Sequence, residues 1–263
     1  MKAAKDFPLF YLDQGKAGGR VVIFLHAFPL DHTAWQAQMA ALAPEFRTVA
    51  FDVRGLGQSE LGSGQYTMET YVEDLVQLMD LLEIPQAVLC GLSLGGYIAL
   101  RCFEKYPERV SALVLSNTRS EADNNQGKLN RAESIFLLQS QGVEAFTRGF
   151  VPKFTGKTTQ EQHPEVTQKI TRMILSQEAA GIVSAQLAMI SRTDTGHVLP
   201  NIQVPTLVIG VEEDPLIPAE QSKALAEKIP GAEFALIPQA GHMSNLENPE
   251  KFNEALLKFL RKL

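Results

Sequence analysis

Ala87-Val88-Leu89-Cys90-Gly91-Leu92-Ser93-Leu94-Gly95-Gly96-Tyr97-Ile98-Ala99-Leu100 opens on an apolar run, passes through small residues and closes on a second apolar run. The pattern predicts a strand, a sharp turn and a helix, in that order. Ser93 stands at the turn, with Gly91 and Gly95 two positions to either side, where a Cβ would crowd the tight backbone or the packing of helix on strand. A serine hydroxyl at its free pKa is a weak nucleophile. It becomes effective at such a turn when a base lies beside it and backbone N–H groups face the developing oxyanion. The rest of the chain has to supply that base and those amides.

Working outward, strand-like apolar runs recur at Val21 to Leu25, Thr48 to Phe51, Ala112 to Leu115, Thr206 to Ile209 and Glu233 to Ile237. Several lack alternation, as strands covered on both faces do. Helical patterns lie between them at Trp35 to Ala43, Met68 to Leu82, Gly95 to Tyr106, Pro218 to Ile229 and Pro249 to Leu263. Strand alternating with helix predicts an α/β chain with a mostly parallel sheet and helices on both faces. An early strand near Phe7 to Leu12 is expected to form an antiparallel hairpin with Val21 to Leu25 across the turn from Gln14 to Gly19.

The alternation breaks between Arg119 and Asn201, where polar helical stretches near Asn124 to Gln139, Val143 to Phe150, Pro164 to Ser176 and Glu178 to Ile190 replace strands. This predicts an all-helical cap insertion over 119–201, with the core domain formed by 1–118 and 202–263. An insert at that point sits at the carboxyl end of the sheet, over Ser93, where open α/β sheets bind ligands.

Composition bounds the function. The 263 residues are 45% hydrophobic and carry a formal charge of −6, which suits one large globular unit. That charge gives no basic footprint for nucleic acid or an anionic membrane surface. Met1 to Asp13 holds two lysines but no long apolar stretch, and no segment reaches the length of a membrane span; a soluble, cytoplasmic protein is expected. Cys90 and Cys102 read as small core hydrophobes, not a disulfide pair. No metal and no cofactor is expected, and nothing in the sequence gives the oligomeric state.

Five histidines, His26, His32, His163, His197 and His242, are available as the base. His242 follows the last predicted strand directly, so its ring would project at the same sheet edge as Ser93. His26 opens the loop His26-Ala27-Phe28-Pro29 after Val21 to Leu25, where it would support the backbone; His32, His163 and His197 read as exposed or cap residues. A base of this kind needs an acid to hold its tautomer. Asp214, in the loop after Thr206 to Ile209, is in position, with Glu212 and Glu213 as rivals. The other possible site, after Ala112 to Leu115, offers Ser116 and Asn117 but no carboxylate.

Four separated signatures now stand in order: the His26-Ala27-Phe28-Pro29 loop, the run Asp52-Val53-Arg54-Gly55-Leu56-Gly57-Gln58-Ser59, the turn at Ser93, and Gly241-His242. With them the chain resembles the α/β-hydrolase superfamily over essentially its whole length, in particular its serine esterase and lactonase group. The order Ser93, Asp214, His242 is the chain order of that family's triad. The resemblance further implies Phe28 and Leu94 as the oxyanion N–H donors. Ala27 departs from the family's usual glycine. Asp52 and Arg54 read as structural ties between loops.

Serine at the turn separates the chain from the haloalkane dehalogenases and epoxide hydrolases of this fold, which carry aspartate there. The expected activity is cleavage of carboxylic esters of small or medium acyl groups through an acyl-enzyme, the partner being a small-molecule ester or lactone. The pattern at Ser116 to Arg119 and Asn245 to Glu247 also resembles 3-oxoadipate enol-lactonases, the alternative reading. A substrate carrying a carboxylate would need a cation near the pocket, and Arg119, Arg131, Arg148 and Arg172 are candidates. Phe136, Phe146, Phe150 and Met189 are the apolar candidates for the acyl pocket. A ligand-binding protein with residual or single-turnover hydrolysis is the reading from another class.

Overall fold

The computed structural model describes residues 8–263. A single seven-stranded sheet is formed by β1 (Tyr11–Gly15), β2 (Val21–Leu25), β3 (Arg47–Phe51), β4 (Ala87–Leu92), β5 (Val110–Ser116), β6 (Thr206–Val211) and β7 (Glu233–Ile237), in the order β1-β3-β2-β4-β5-β6-β7. All neighbours are parallel except β1 and β3. The central strands are buried on both faces and read as continuous apolar runs, whereas β1 and β7 at the edges are only partly covered.

The expected hairpin between the first two strands does not form. β2 has β3 on one side and β4 on the other, both parallel to it, so neither of its edges is open. The first strand instead pairs antiparallel with β3, Tyr11 facing Phe51 and Gly15 facing Arg47. The chain turns at Gly15 with φ 95°, and the Lys16 amide donates to Phe46 O at 2.9 Å, which fixes the end of the strand on β3. Phe7, at the start of the predicted strand, lies outside the described residues.

The core helices are α1 (Gln36–Leu42), α2 (Met68–Leu81), α3 (Leu94–Lys105), α8 (Ala219–Glu227), α9 (Ser244–Glu247) and α10 (Pro249–Leu260); α4 to α7 belong to the segment between β5 and β6 described below. Their ends follow from local chemistry. Thr67 and Thr70 form a reciprocal capping box at the start of α2. At α10, Asn248 accepts from the Lys251 amide at 3.2 Å and Pro249 occupies the first turn, where its missing N–H costs nothing. Phe252, Leu256, Phe259 and Leu260 recur at helical spacing on the buried face of α10.

Between β5 and β6 the chain runs through α4 (Asn125–Phe150), α5 (Lys157–Gln162), α6 (Pro164–Leu175) and α7 (Ala179–Ser191). α4 is broken at Gly142, whose φ of 82° and ψ of 176° are not helical, where the sequence pattern also divides. No single helix among the described residues is long and apolar enough to cross a membrane.

Register places the site. Leu25 faces Gly91, Gly91 faces Leu115, Ser116 faces Ile209, and Val211 faces Ile237. The strands therefore finish nearly level. The loops that follow β2, β4, β5, β6 and β7 all emerge at one sheet edge, carrying Phe28, Ser93, Asn117, Asp214 and His242.

Candidate active site

Ser93 joins β4 to α3 with φ 54° and ψ −110°, a backbone conformation that costs a side-chain-bearing residue about 1–3 kcal/mol. The surroundings hold it there. Its amide donates to Ser116 O at 2.9 Å, its carbonyl accepts from Thr118 Oγ1 at 2.9 Å and from the Gly96 amide at 2.9 Å. The turn also needs close backbone approach, since a Cβ on Gly95 would run into the carbonyl of Leu25. Ser93 Oγ has no hydrogen-bond partner among the described residues and borders a cavity of about 520 Å³ that His242 also lines.

His242 is buried, and its Nδ1 lies 2.7 Å from Asp214 Oδ2. Asp214 is fully engaged. Oδ2 also accepts from Asn117 Nδ2 at 3.0 Å, while Oδ1 accepts the amides of Leu216 at 2.8 Å and Ile217 at 3.1 Å. Burial pushes the Asp214 carboxyl up, but His242, Asn117 and the Leu216 amide outweigh it and hold the group below the usual carboxylate range. A carboxylate so held keeps the proton of the imidazole on Nδ1 and leaves Nε2 with the lone pair. Glu213, a sequence rival for this position, turns to the Thr158 amide at 2.7 Å and Thr158 Oγ1 at 2.6 Å; Glu212 accepts from the Gln239 amide at 3.2 Å.

The amides of Phe28 and Leu94 donate to no protein acceptor among the described residues, which is uncommon for buried backbone N–H groups. Leu94 is the first residue of α3, where a free N–H is expected. The Phe28 loop is tied down from behind. His26 Nδ1 lies 3.0 Å from Ala27 O and its Nε2 accepts the Val53 amide at 2.9 Å, a pairing that requires the neutral ring; burial lowers the pKa of His26 accordingly, against the pull of Asp52. Asp52 accepts the His32 amide at 2.6 Å, faces His32 Nδ1 at 2.7 Å and accepts the Gln58 amide at 2.8 Å.

His32 is thus not exposed, as its position in the sequence had implied, but buried on Asp52. Burial disfavours its charge, and Asp52 more than restores it, so its pKa is raised. His163 and His197 are on the surface, beside Glu165 and Glu104. Arg54 pairs with Asp74 and not with Asp52. Asp31, His32 and Asp52 bring ligand atoms within 4.8 Å of one another, yet Asp31 is spent on the Thr33 amide at 2.8 Å and Asp52 on the contacts just given. The group serves as a tie between loops.

The apolar wall of the cavity is aromatic. Phe28 meets Phe150 edge-on at 5.7 Å and Phe146 at 6.3 Å, Phe150 stacks on Phe154, and Phe154 meets the His242 ring edge-on at 5.1 Å. Phe150 and Met189 line the cavity, and Phe146 is buried behind Phe150. Phe136 does not belong to the pocket: it is 72% exposed on α4 and outside the lining. Its position in the helical register put it on the outer face, which sequence alone did not distinguish from the inner one.

The lining is also cationic. Arg119 and Arg131 line the cavity with Lys153. Arg119, Arg131 and Arg192 converge on Asp123, at 2.7, 2.5 and 3.0 Å. Burial pushes the Asp123 carboxyl up, but Arg192 and Arg131 overcome it and bring the pKa down to about 2. Arg192 lies over the Tyr97 ring at 4.1 Å. Arg148 and Arg172, the other sequence candidates, are exposed and outside this cavity.

Comparison with known proteins agrees with the fold. The family described as alpha/beta hydrolase fold matches residues 20–249. The chain belongs to this family. This α/β-hydrolase is 30% identical over 258 residues to 3-oxoadipate enol-lactonase 2 of Acinetobacter baylyi, covering 96% of this chain and 93% of that one. A thermophilic esterase of Thermogutta terrifontis, solved with malate bound, superposes with TM-score 0.93 at 38% identity over 97% of this chain and 93% of its own. The enol-lactonase of Burkholderia xenovorans LB400 superposes with TM-score 0.89 at 28% identity, covering 96% of each. Hydrolases of two related kinds thus surround this α/β-hydrolase.

Proposed function

We propose that this α/β-hydrolase cleaves carboxylic esters of small or medium acyl groups through an acyl-enzyme on Ser93. The observation that carries the reading is the shared cavity: Ser93, held at positive φ, and His242, held on Asp214 at 2.7 Å, open onto the same space. His242 Nε2 takes the Ser93 proton as Oγ attacks the carbonyl carbon. The free amides of Phe28 and Leu94 receive the oxyanion, His242 returns the proton to the leaving alcohol, and water repeats the sequence to release the acid. The helical segment 119–201 acts as the cap, its phenylalanines bounding the acyl side.

A second reading, an ester or lactone that itself carries a carboxylate, is favoured by one observation: Arg119, Arg131 and Lys153 line the cavity against the single acid Asp123. The malate in the esterase structure and the enol-lactonase relatives support the same charge preference.

A burst assay tests both. Neutral p-nitrophenyl esters, half-esters of dicarboxylic acids and enol-lactones are compared on wild type and Ser93→Ala. A stoichiometric burst followed by turnover, absent in Ser93→Ala, is expected, and the substrate ranking separates ester from carboxylated lactone. Identical behaviour of the two proteins on every substrate would overturn the proposal and leave a ligand-binding role.

A further inference from the structure

Phe154 to Thr158, the strap that leads into α5, crosses directly over the loops of His242 and Asp214. The His242 amide donates to Phe154 O at 3.1 Å, and the Phe154 ring meets the imidazole edge-on. Gly156 and Gly241 are in backbone contact, so that a Cβ on either would strike the other residue's amide nitrogen. Two carboxylates complete the crossing. Glu247, buried at the end of α9, accepts the Gly156 amide at 2.7 Å and the Gly241 amide at 3.0 Å on Oε2, and the Met243 amide at 2.9 Å on Oε1. It thereby holds the backbone on both sides of His242. Glu213, the residue before Asp214, accepts the Thr158 amide and hydroxyl, and its own amide donates to Ala240 O at 3.0 Å.

A buried carboxylate is costly, and the three backbone amides that Glu247 accepts offset that cost. Fixing this loop is what the three amides at Glu247 accomplish. We infer that Glu247 and Glu213 are positioning residues that, through the strap 154–158, set the relative placement of His242 and Asp214. The inference rests on the serine-hydrolase reading above. It adds that the cap is built into the catalytic geometry at this crossing and is not merely a cover.

Glu247, Glu213 and Thr158 make no contact with the reacting atoms in this scheme, so their loss slows acylation and deacylation, which His242 serves alike, while leaving the number of competent serines intact. Small displacements of a catalytic group cost up to about a hundredfold. Glu247→Gln, which replaces one acceptor oxygen with an NH2 facing an N–H group, is expected to lower kcat about ten- to a hundredfold with KM within about threefold. Glu213→Gln and Thr158→Val, at half-buried positions, are expected to lower kcat by smaller factors.

The burst separates the outcomes. Amplitude counts reactive Ser93 per chain, and burst rate reports how well His242 serves it. Full amplitude with a slowed burst, together with a displaced downfield proton resonance for the His242–Asp214 hydrogen bond, is the expected result. Leu256→Ala, in the core of α10, serves as a destabilised control that keeps the wild-type rate per titrated site. The inference is overturned if the variants match wild type per titrated site, or if their losses follow amplitude alone. Should Glu247→Gln not fold, unchanged rates in Glu213→Gln and Thr158→Val overturn it by themselves. Absence of any Ser93-dependent burst in wild type would instead refute the underlying reading.

Discussion

Asp214 Oδ2 is shared by His242 Nδ1 at 2.7 Å and Asn117 Nδ2 at 3.0 Å, which ties the loop after β5 to the loops after β6 and β7. Asn117 is itself locked, its Oδ1 accepting from Ser116 Oγ and Ser244 Oγ, each at 2.8 Å. Asn117 therefore supports the Asp214 carboxylate from the loop after β5. Hydrogen bonds to charged groups contribute about 1.5–3 kcal/mol, so Asn117→Ala is expected to lower kcat for a p-nitrophenyl ester about tenfold or more, with KM little changed. An unaltered kcat would mean that Leu216 and Ile217 alone fix the carboxylate.

Ser93 occupies a left-handed conformation that glycine adopts freely. Ser93→Gly should raise the melting temperature, relieving up to about 1–3 kcal/mol of strain against the small gain in chain entropy on unfolding, while abolishing turnover. Ser93→Ala, which keeps the strain, should be equally inactive without that gain. Equal melting temperatures for the two variants would show that the turn stores no strain.

Much of this was legible in the sequence because it rests on local rules. The small residues around Ser93, the apolar runs and the loop positions of Asp214 and His242 follow from residue type and spacing. What was not legible depends on which side of an element faces the core. Phe136 and Phe150 lie on the same helix and look alike in sequence, yet one is solvent-exposed and the other lines the cavity. The first strand went to β3 because β2 has no free edge, a constraint that exists only once the sheet is assembled. Asp123 and Glu247 were missed for a related reason: each also has a partner far along the chain, Arg192 for the first and Gly156 for the second, which only the assembled fold brings close. Arg119 four residues before Asp123 and Arg131 eight residues after it were the available signal.

Phe150 bridges Phe28 and Phe154, which packs against His242, and so closes the aromatic side of the cavity. Phe150→Ala removes that wall. Its preference among p-nitrophenyl esters is expected to move toward longer acyl chains, with kcat/KM for the acetate reduced and that for hexanoate or octanoate raised. An unchanged ranking would place the acyl group elsewhere in the cavity.

Arg131 donates to Asp123 Oδ2 at 2.5 Å and to Gln186 Oε1 at 3.0 Å while lining the cavity. Asp123 retains Arg119 and Arg192 when Arg131 is replaced, so Arg131→Met should fold. It should lower kcat/KM about tenfold for half-esters of dicarboxylic acids, a loss of roughly 1.4 kcal/mol, and leave neutral esters within about twofold of wild type. Equal losses on both classes would assign Arg131 to the architecture of the helical segment between β5 and β6 and remove the charge preference.

Asp123 supplies the pH test. Its pKa is about 2 in the folded chain against an ordinary 3.8, because Arg192 and Arg131 favour the ionised form more than burial opposes it. A depressed folded pKa means that the unfolded chain takes up the proton first as the solution is acidified. The stabilisation is therefore complete above the ordinary value and is lost as pH falls through the folded one, a contribution of about 2 kcal/mol. Asp123→Asn lacks it at every pH. Urea unfolding of both proteins should show wild type ahead by the full margin near pH 6 and the margin shrinking steadily between about pH 4 and pH 2. A gap that stayed constant or widened on acidification would mean that the arginines are compensated by other groups and that Asp123 is not the charge on which this wall of the cavity is assembled.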